Sequence, residues 1–347
     1  MKKPLFAPTV PTVPSEPPPP PVDHIPLPWR TGHDIDAALT ALRSVLSAPP
    51  AASVDRDTVL SLIRSELSAI SAPRSLTVTV KNAPPVTVEC AHPLLPTLIR
   101  VAYVKLPVGH CANMLLIGPS GCGKTTIVAH LAQALARPFT CLSLSGGRSE
   151  GSLLGRYLPI GTSGAGSWDY VRAAFVAAYS SGHVILLDEL DAADENVLLC
   201  LNSALSNGSL YLTDAAGTAI PRHPDTVIVA AANTYGSGAD RIYVGRNQLD
   251  GATLDRFSAA TFIVDYSPEI ETAIGNPQLL QWAWPLRAKV ALHKIRQVIS
   301  TRYIADASAL MSAEVYTLAD AQRSLLCRWS PEELSTLGIQ CPEAGAE

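Results

Sequence analysis

Gly118-Pro119-Ser120-Gly121-Cys122-Gly123-Lys124-Thr125-Thr126, entered from the apolar run Asn113 to Ile117, fits G-x-x-x-x-G-K-[ST] and sets the reading of the whole chain. Glycines at both ends let the loop wrap closely, so that successive backbone N–H groups can face a β- or γ-phosphate. Lys124 adds a mobile positive charge, and the Thr125 hydroxyl can ligate Mg2+. Ile127, Val128, Leu131 and Leu135 then recur on one face, which predicts a helix whose N-terminal end adds partial positive charge at the same anion. An isolated Gly-rich turn would carry little information. Strand, loop and helix together predict nucleotide binding by residues 118–126.

Downstream, short apolar runs alternate with helical patterns: Phe139 to Leu144, the helical Val171 to Tyr179, Val184 to Leu187, the helical Glu195 to Leu205, Thr226 to Ala232 and Thr261 to Val264. That alternation predicts an α/β domain with a parallel sheet, and runs that are apolar throughout suit strands buried on both faces. Mainly helical patterns from Pro268 to Glu347 predict a C-terminal helical lid. Upstream, Thr77 to Val80 and Val86 to Glu89 alternate like a hairpin around Asn82-Ala83-Pro84-Pro85, and Asp34 to Leu46 and Ser53 to Ile70 read as amphipathic helices. Residues 4–30, with Pro17 to Pro21 at their centre, predict an extended, partly polyproline II tail. The expected organisation is a proline-rich disordered arm (1–32), a small helical and hairpin N-terminal module (33–94), an α/β nucleotide-binding domain (95–266) and a helical lid (267–347).

Bulk properties exclude several classes. Apolar residues make up 47% and charged residues 16% of the 347, yet no uncharged apolar run approaches the roughly 20 residues of a membrane span. Lys2 and Lys3 are followed by prolines where a secretory signal needs an apolar helix. The seven cysteines are scattered without a C-x-x-C pair, which fits a reducing cytoplasm and neither a disulfide framework nor a zinc site. A formal net charge of −4 and no Lys/Arg block give no broad footprint for nucleic acid.

The remaining chemistry sits at strand ends. Val184-Ile185-Leu186-Leu187-Asp188-Glu189 delivers two carboxylates at the C-terminal edge of a buried strand, where open α/β sheets bind ligands. Asp188 is expected to hold Mg2+, and Glu189 to polarise the water that attacks the γ-phosphate. Asp191 extends the acidic cluster in a supporting or helix-capping role. Asn233 ends another strand, where it can orient the attacking water, although Asn is also a routine turn residue. Arg256, in Leu249-Asp250-Gly251-Ala252-Thr253-Leu254-Asp255-Arg256-Phe257, has the guanidinium suited to neutralise phosphoryl charge; a surface salt bridge to Asp255 or Asp250 is the competing explanation. Cys122 stands at a variable position of the loop, as a tolerated small residue or a redox-sensitive one.

In this order, the phosphate loop, LLDELD, AAAN and LDGATLDRF resemble an AAA+ ATPase of the MoxR and dynein-related group, which includes cobalt-chelatase-type and phage-encoded members. The resemblance spans about residues 95 to 330. It implies a P-loop NTPase sheet of five parallel strands in the order 5-1-4-3-2, flanked by helices, with Mg2+ and ATP as cofactors. It also implies a ring oligomer, a hexamer, with ATP between subunits, so that Arg256 acts on the neighbour's γ-phosphate; Arg246 is the second candidate for that task. Arg302, in Ile299-Ser300-Thr301-Arg302-Tyr303, matches the start of the family's nucleotide-contacting lid helix, with Thr301 where many members carry Pro. Gly155 to Tyr170 and Ser209 to Pro221, the latter turning at Asp214-Ala215-Ala216-Gly217, resemble the group's two inserted hairpins. Tyr157 and Trp168 of the first hairpin can either grip a substrate or pack the hairpin. Leu144-Ser145-Gly146-Gly147-Arg148 mimics the signature of ABC transporter ATPases but follows the phosphate loop too soon, and reads as a flexible connection.

The resulting expectation is an ATP-hydrolysing remodelling motor in the cytoplasm, or the host cytoplasm if phage-encoded, acting on a protein partner such as a von Willebrand A-type protein. The alternatives are a nucleic-acid-directed ATPase of the phage replication or restriction type, disfavoured by the charge, and a nucleotide-gated scaffold. The intact set Asp188, Glu189, Asn233 and Arg256 argues against the scaffold.

Overall fold

A small antiparallel hairpin, β1 (Leu76–Val78) and β2 (Val86–Val88), leads into helix α1 (Leu95–Tyr103) and the first strand of the central sheet, β3 (Met114–Ile117). The computed structural model describes residues 75–78, 86–160, 167–212, 218–239 and 242–343, which lie within one compact unit, Glu66–Glu347. The expected arm 1–32, the helical patterns Asp34 to Leu46 and Ser53 to Ile70, and the turns at 82–85, 161–166 and 213–217 lie outside the described residues.

After β3 the chain forms α2 (Lys124–Ala134), β4 (Phe139–Ser143), α3 (Glu150–Leu154), the hairpin β5 (Gly155–Ile160) and β6 (Ser167–Arg172), and α4 (Ala174–Ser180). Next come β7 (Val184–Asp188), α5 (Glu195–Ser206), the hairpin β8 (Ser209–Leu212) and β9 (Thr218–Pro221), β10 (Val227–Ala232), α6 (Gly251–Asp255) and β11 (Thr261–Ile263). The lid follows as α7 (Pro268–Ile274), α8 (Pro277–Leu292), α9 (Thr301–Ser312), α10 (Leu318–Leu326) and α11 (Pro331–Leu337). The five parallel strands lie in the order β11-β3-β10-β7-β4, which by chain position is 5-1-4-3-2, as expected.

The apolar runs lack alternation because both sheet faces are covered. Leu115, Ile117, Ile185, Leu187, Ile228 and Ala230 pack on one side with Phe175 and Tyr179 of α4 and Leu201 of α5. Their neighbours Met114, Leu116, Val184, Leu186, Val227 and Val229 pack on the other with Leu98 of α1 and Val128 and Leu131 of α2. Each such aliphatic side chain contributes about 1.5–3 kcal/mol on full burial, so two layers of them fix strand register and leave only strand ends free for chemistry.

Two boundaries differ from the sequence reading. Val171 and Arg172 pair with Arg156 and Gly155 as the end of β6, so the helix expected from Val171 begins at Ala174. The hairpin pairing outcompetes helical propensity there because Ala173, at φ −72° and ψ 164°, is already extended. Val88 and Ala91 share the core of α1 and α2, which ties residues 86–94 to the core of the α/β domain.

The lid is organised around a buried carboxylate. Glu271 is 0% exposed and accepts from Arg287 Nη2 (2.7 Å) and Nη1 (2.9 Å), Trp284 Nε1 (2.7 Å) and Thr301 Oγ1 (2.6 Å), which joins α7, α8 and α9. Removing one member of a buried pair leaves the other charge uncompensated, at about 3–5 kcal/mol. Glu271→Ala should therefore lower the urea midpoint followed by tryptophan fluorescence, and Glu271→Leu/Arg287→Met should recover much of the loss. An unshifted midpoint in Glu271→Ala would show that the pair does not hold the lid.

Candidate functional site

All four residues of β3 are buried, and the strand ends where the phosphate loop starts. Gly118 N donates to Ala232 O (3.2 Å), and a Cβ on Gly118 would stand 1.9 Å from Val264 O, so only glycine fits between β10 and the exit of β11. Gly121 holds φ +70°, a left-handed conformation that side chains resist, and a Cβ there would come within 2.6 Å of Ser300 Cβ. Ser300 caps α9, and Arg302 N donates to Gly121 O (3.3 Å), so the lid rests directly on the loop. Two phenols flank the loop's tip: Ser120 N donates to Tyr243 Oη (2.7 Å), and Tyr266 Oη donates to Ser120 O (3.0 Å).

Lys124 opens α2 with its side chain turned back into the loop. Its ammonium donates to Gly118 O (2.7 Å), Pro119 O (3.0 Å) and Asn233 Oδ1 (2.8 Å). All three acceptors are neutral, and burial lowers the lysine's pKa, with Cys122, Asp188 and Asp191 pulling the other way. Burial also pushes the Cys122 thiol up, so the thiolate needed for redox reactivity is disfavoured.

The acidic strand meets this loop from the side. Thr125 Oγ1 donates to Asp188 Oδ2 (3.2 Å), and Glu189 N donates to Asp188 Oδ1 (2.9 Å). A hydroxyl and a carboxylate so close are the hard oxygen donors Mg2+ takes, and that ion commonly uses one or two protein ligands besides water and phosphate. Among the described residues there is no group of three or more His, Cys, Asp or Glu side chains that would hold a metal by itself. Glu189 sits at φ +58°, in a region that costs a non-glycine residue about 1–2 kcal/mol. Its carboxylate accepts from Ser143 Oγ (3.1 Å) and Arg246 Nη2 (3.2 Å). Hydrogen bonds from Ser145, Ser143 and Arg246 hold that carboxyl below its usual range against the opposing effect of burial.

Asp191 does more than its sequence position indicated. Fully buried, its Oδ2 accepts from Asn233 N (3.0 Å), Thr234 N (2.9 Å) and Thr234 Oγ1 (2.9 Å), which pins the turn that aims Asn233 at Lys124. Its Oδ1 accepts from Arg246 Nη1 (3.2 Å), so Arg246 bridges Asp191 and Glu189 of its own chain. A cavity of about 700 Å³ lies over these groups, lined by the loop, Asp188, Glu189 and Asn233, by His92 ahead of α1, and by Ile270, Ile274 and Arg302 of the lid.

The structure thus gathers Ser120 to Thr126, Asp188, Glu189, Asn233 and Arg302 around one cavity, with Gly118 and Pro119 behind it as acceptors for Lys124, but not Arg256. The Arg256 carbonyl accepts from Asn113, at the opposite end of β3, and its side chain bonds Ser206 Oγ and Ala252 O instead of Asp250 or Asp255. On the first hairpin Tyr157 meets the Tyr170 ring edge-on at 5.4 Å, whereas Trp168 is 67% exposed. Ser143, Ser145, Tyr243 and Tyr266 were missed by the sequence reading. Ser145 lies in the connection that mimics the transporter signature, and two hydroxyls at the end of β4 and just after it, beside the acidic strand, were the available signal.

Residues 113–257 match the family model of the AAA domain (dynein-related subfamily). The chain is similar to Protein NorQ of Paracoccus denitrificans (strain Pd 1222), 30% identical over 168 residues, which cover 48% of this chain and 58% of NorQ. Midasin of Dictyostelium discoideum is 30% identical over 145 residues, 42% of this chain and 2% of midasin. Denitrification regulatory protein NirQ of Stutzerimonas stutzeri is 27% identical over 206 residues, 56% of this chain and 70% of NirQ. The aligned part therefore spans about 58% of NorQ's own length and a small fraction of midasin's. No helix among the described residues is long and apolar enough to cross a membrane. The loop, the acid-tipped strand and the Asn-tipped strand, with four of the five sheet strands, lie within the matched segment, so residues 113–257 form a domain of the kind that the dynein-related AAA model describes, an ATPase class.

Proposed function

We propose that the chain binds Mg-ATP in the cavity over Gly118 to Thr126 and hydrolyses it as a subunit of a ring, driving the remodelling of a protein partner. One observation carries the reading: Lys124, Thr125, Asp188, Glu189 and Asn233 converge from three strand ends on one cavity. Loop amides and the Lys124 ammonium bind the β- and γ-phosphates. Thr125 and Asp188 would hold Mg2+, which when bound neutralises phosphate charge. Glu189 takes a proton from the water whose oxygen attacks the γ-phosphorus; the bond to the β–γ bridging oxygen breaks, and ADP and phosphate leave. Asn233 orients that water, and Arg302 contacts the nucleotide from the lid.

Arg256, remote from its own loop, is read as the finger completing a neighbour's site. Arg246, bridging Glu189 and Asp191 in its own chain, is read as a brake that withdraws when Glu189 acts. A ring follows from the Arg256 reading, as does an energy-transducing role over that of a passive scaffold. The similarity to NirQ, a denitrification regulatory protein, supports a regulatory role for the motor.

Lys124→Ala should abolish both ATP retention and phosphate release, whereas Glu189→Gln should retain radiolabelled ATP on filters without splitting it. Wild-type turnover in Glu189→Gln would remove Glu189 from the base role. Arg256→Ala subunits should be inactive alone and regain hydrolysis when mixed with Lys124→Ala subunits, which lend them an intact finger. Inactivity in the mixture would contradict action on a neighbour.

The ionised Glu189 carboxylate is the active form. Because its folded-state pKa is depressed, activity persists at pH above that value and is lost as pH falls through it. Ser145→Ala removes the largest stabilising contact, so the acidic limb of the rate–pH profile should move to higher pH. An unmoved limb would separate Glu189 from that limb.

A further inference from the structure

Arg222, just after β9, is 7% exposed and has only neutral partners. Its Nε and Nη2 donate to Thr226 O (3.3 and 2.9 Å), and Nη1 donates to Asn113 Oδ1 (2.8 Å) and His110 Nδ1 (3.1 Å). Among the described residues no carboxylate pairs with it. A buried guanidinium without a counter-ion is costly, and here its effect is to orient one amide. A guanidinium only donates, so Asn113 must turn Oδ1 toward Arg222 and Nδ2 away from it. Nδ2 then donates to Leu205 O (2.9 Å) and to Arg256 O (3.3 Å). Leu205 lies in the last turn of α5, and the next residue, Ser206, accepts from Arg256 Nε through its hydroxyl (2.6 Å). Arg256 Nη1 bonds Ala252 O, one turn back in its own helix.

We propose that Asn113, set by Arg222, and Ser206 are positioning residues for Arg256: one fixes its backbone, the other its guanidinium stem, so that the finger is presented at a fixed place to the adjoining subunit. The inference rests on the reading of Arg256 as a finger acting on a neighbour. It adds three residues, from the start of β3, the end of α5 and the segment after β9, which lie away from the nucleotide cavity. A finger displaced by about 1 Å loses on the order of 100-fold in rate without any change in nucleotide binding at its own site.

Asn113→Asp separates positioning from packing. The carboxylate keeps the volume and gives Arg222 an ion pair, but it removes the donor to Leu205 O and Arg256 O. In the 347-residue chain, Asn113→Asp should bind ATP as wild type and hydrolyse it about 10- to 100-fold more slowly. Mixed with Lys124→Ala subunits, it should regain hydrolysis as Arg256→Ala does, because the neighbour's own Arg256 is correctly seated. Ser206→Ala, at an exposed helix end where folding is not at risk, should give a smaller loss with the same recovery, and it decides the matter if Asn113→Asp fails to fold. Recovery of Arg256→Ala without recovery of the Asn113 and Ser206 variants would place their defect in their own sites and overturn this inference, as would wild-type rates in both. Absence of recovery for Arg256→Ala itself would refute the action on a neighbour, and the seat with it.

Discussion

The ammonium of Lys124 is buried against two loop carbonyls and the side-chain oxygen of Asn233, with no ion pair among the described residues. Neutral acceptors orient a cation but do not neutralise it, and burial already disfavours its charge. An anion delivered to the loop supplies the missing counter-charge, and the loop's amides and the start of α2 add to the attraction. The rest of the site can be traced to this demand. β3 and β10 bring Gly118 and Asn233 together, Asp191 pins the turn carrying Asn233, and β7 places Asp188 beside Thr125.

The same loop is mechanically joined to the lid. Gly121 is pressed against Ser300 and accepts from Arg302, while Ser120 accepts from Tyr266, whose ring lies 4.2 Å beneath the Arg287 guanidinium. Arg287 in turn is held by Glu271, the centre of the lid. A phosphate that reshapes the loop therefore acts on groups continuous with α7, α8 and α9. The Glu189 carboxylate is restrained by Ser143 and Arg246, so loop, Glu189 and lid form three linked parts around one cavity.

Much of this was legible in the sequence because it is local. The loop motif, the apolar runs and the acid-tipped strand each occupy fewer than a dozen consecutive residues, and the unbroken apolar runs placed the five sheet strands to within about a residue. Strand order came from resemblance, since nothing in a run of Val and Ile says which neighbour it pairs with. What escaped depends on contacts between distant segments: Ser145 with Glu189, Tyr243 with Ser120, Asp191 with Thr234, Glu271 with Thr301. A hydroxyl in a Ser-Gly-Gly connection carries no mark of the carboxylate it will face. Likewise the end of β6 was misread, because Val171 and Arg172 owe their conformation to partners on β5.

The central claim is that a magnesium-bound triphosphate supplies the anion that Lys124 lacks. Isothermal titration of the full chain with Mg-ATP tests it most directly. Saturable heat with one nucleotide per chain, weakened when magnesium is chelated, is the predicted result. A folded preparation that gives no heat with Mg-ATP at any protein concentration would contradict the account.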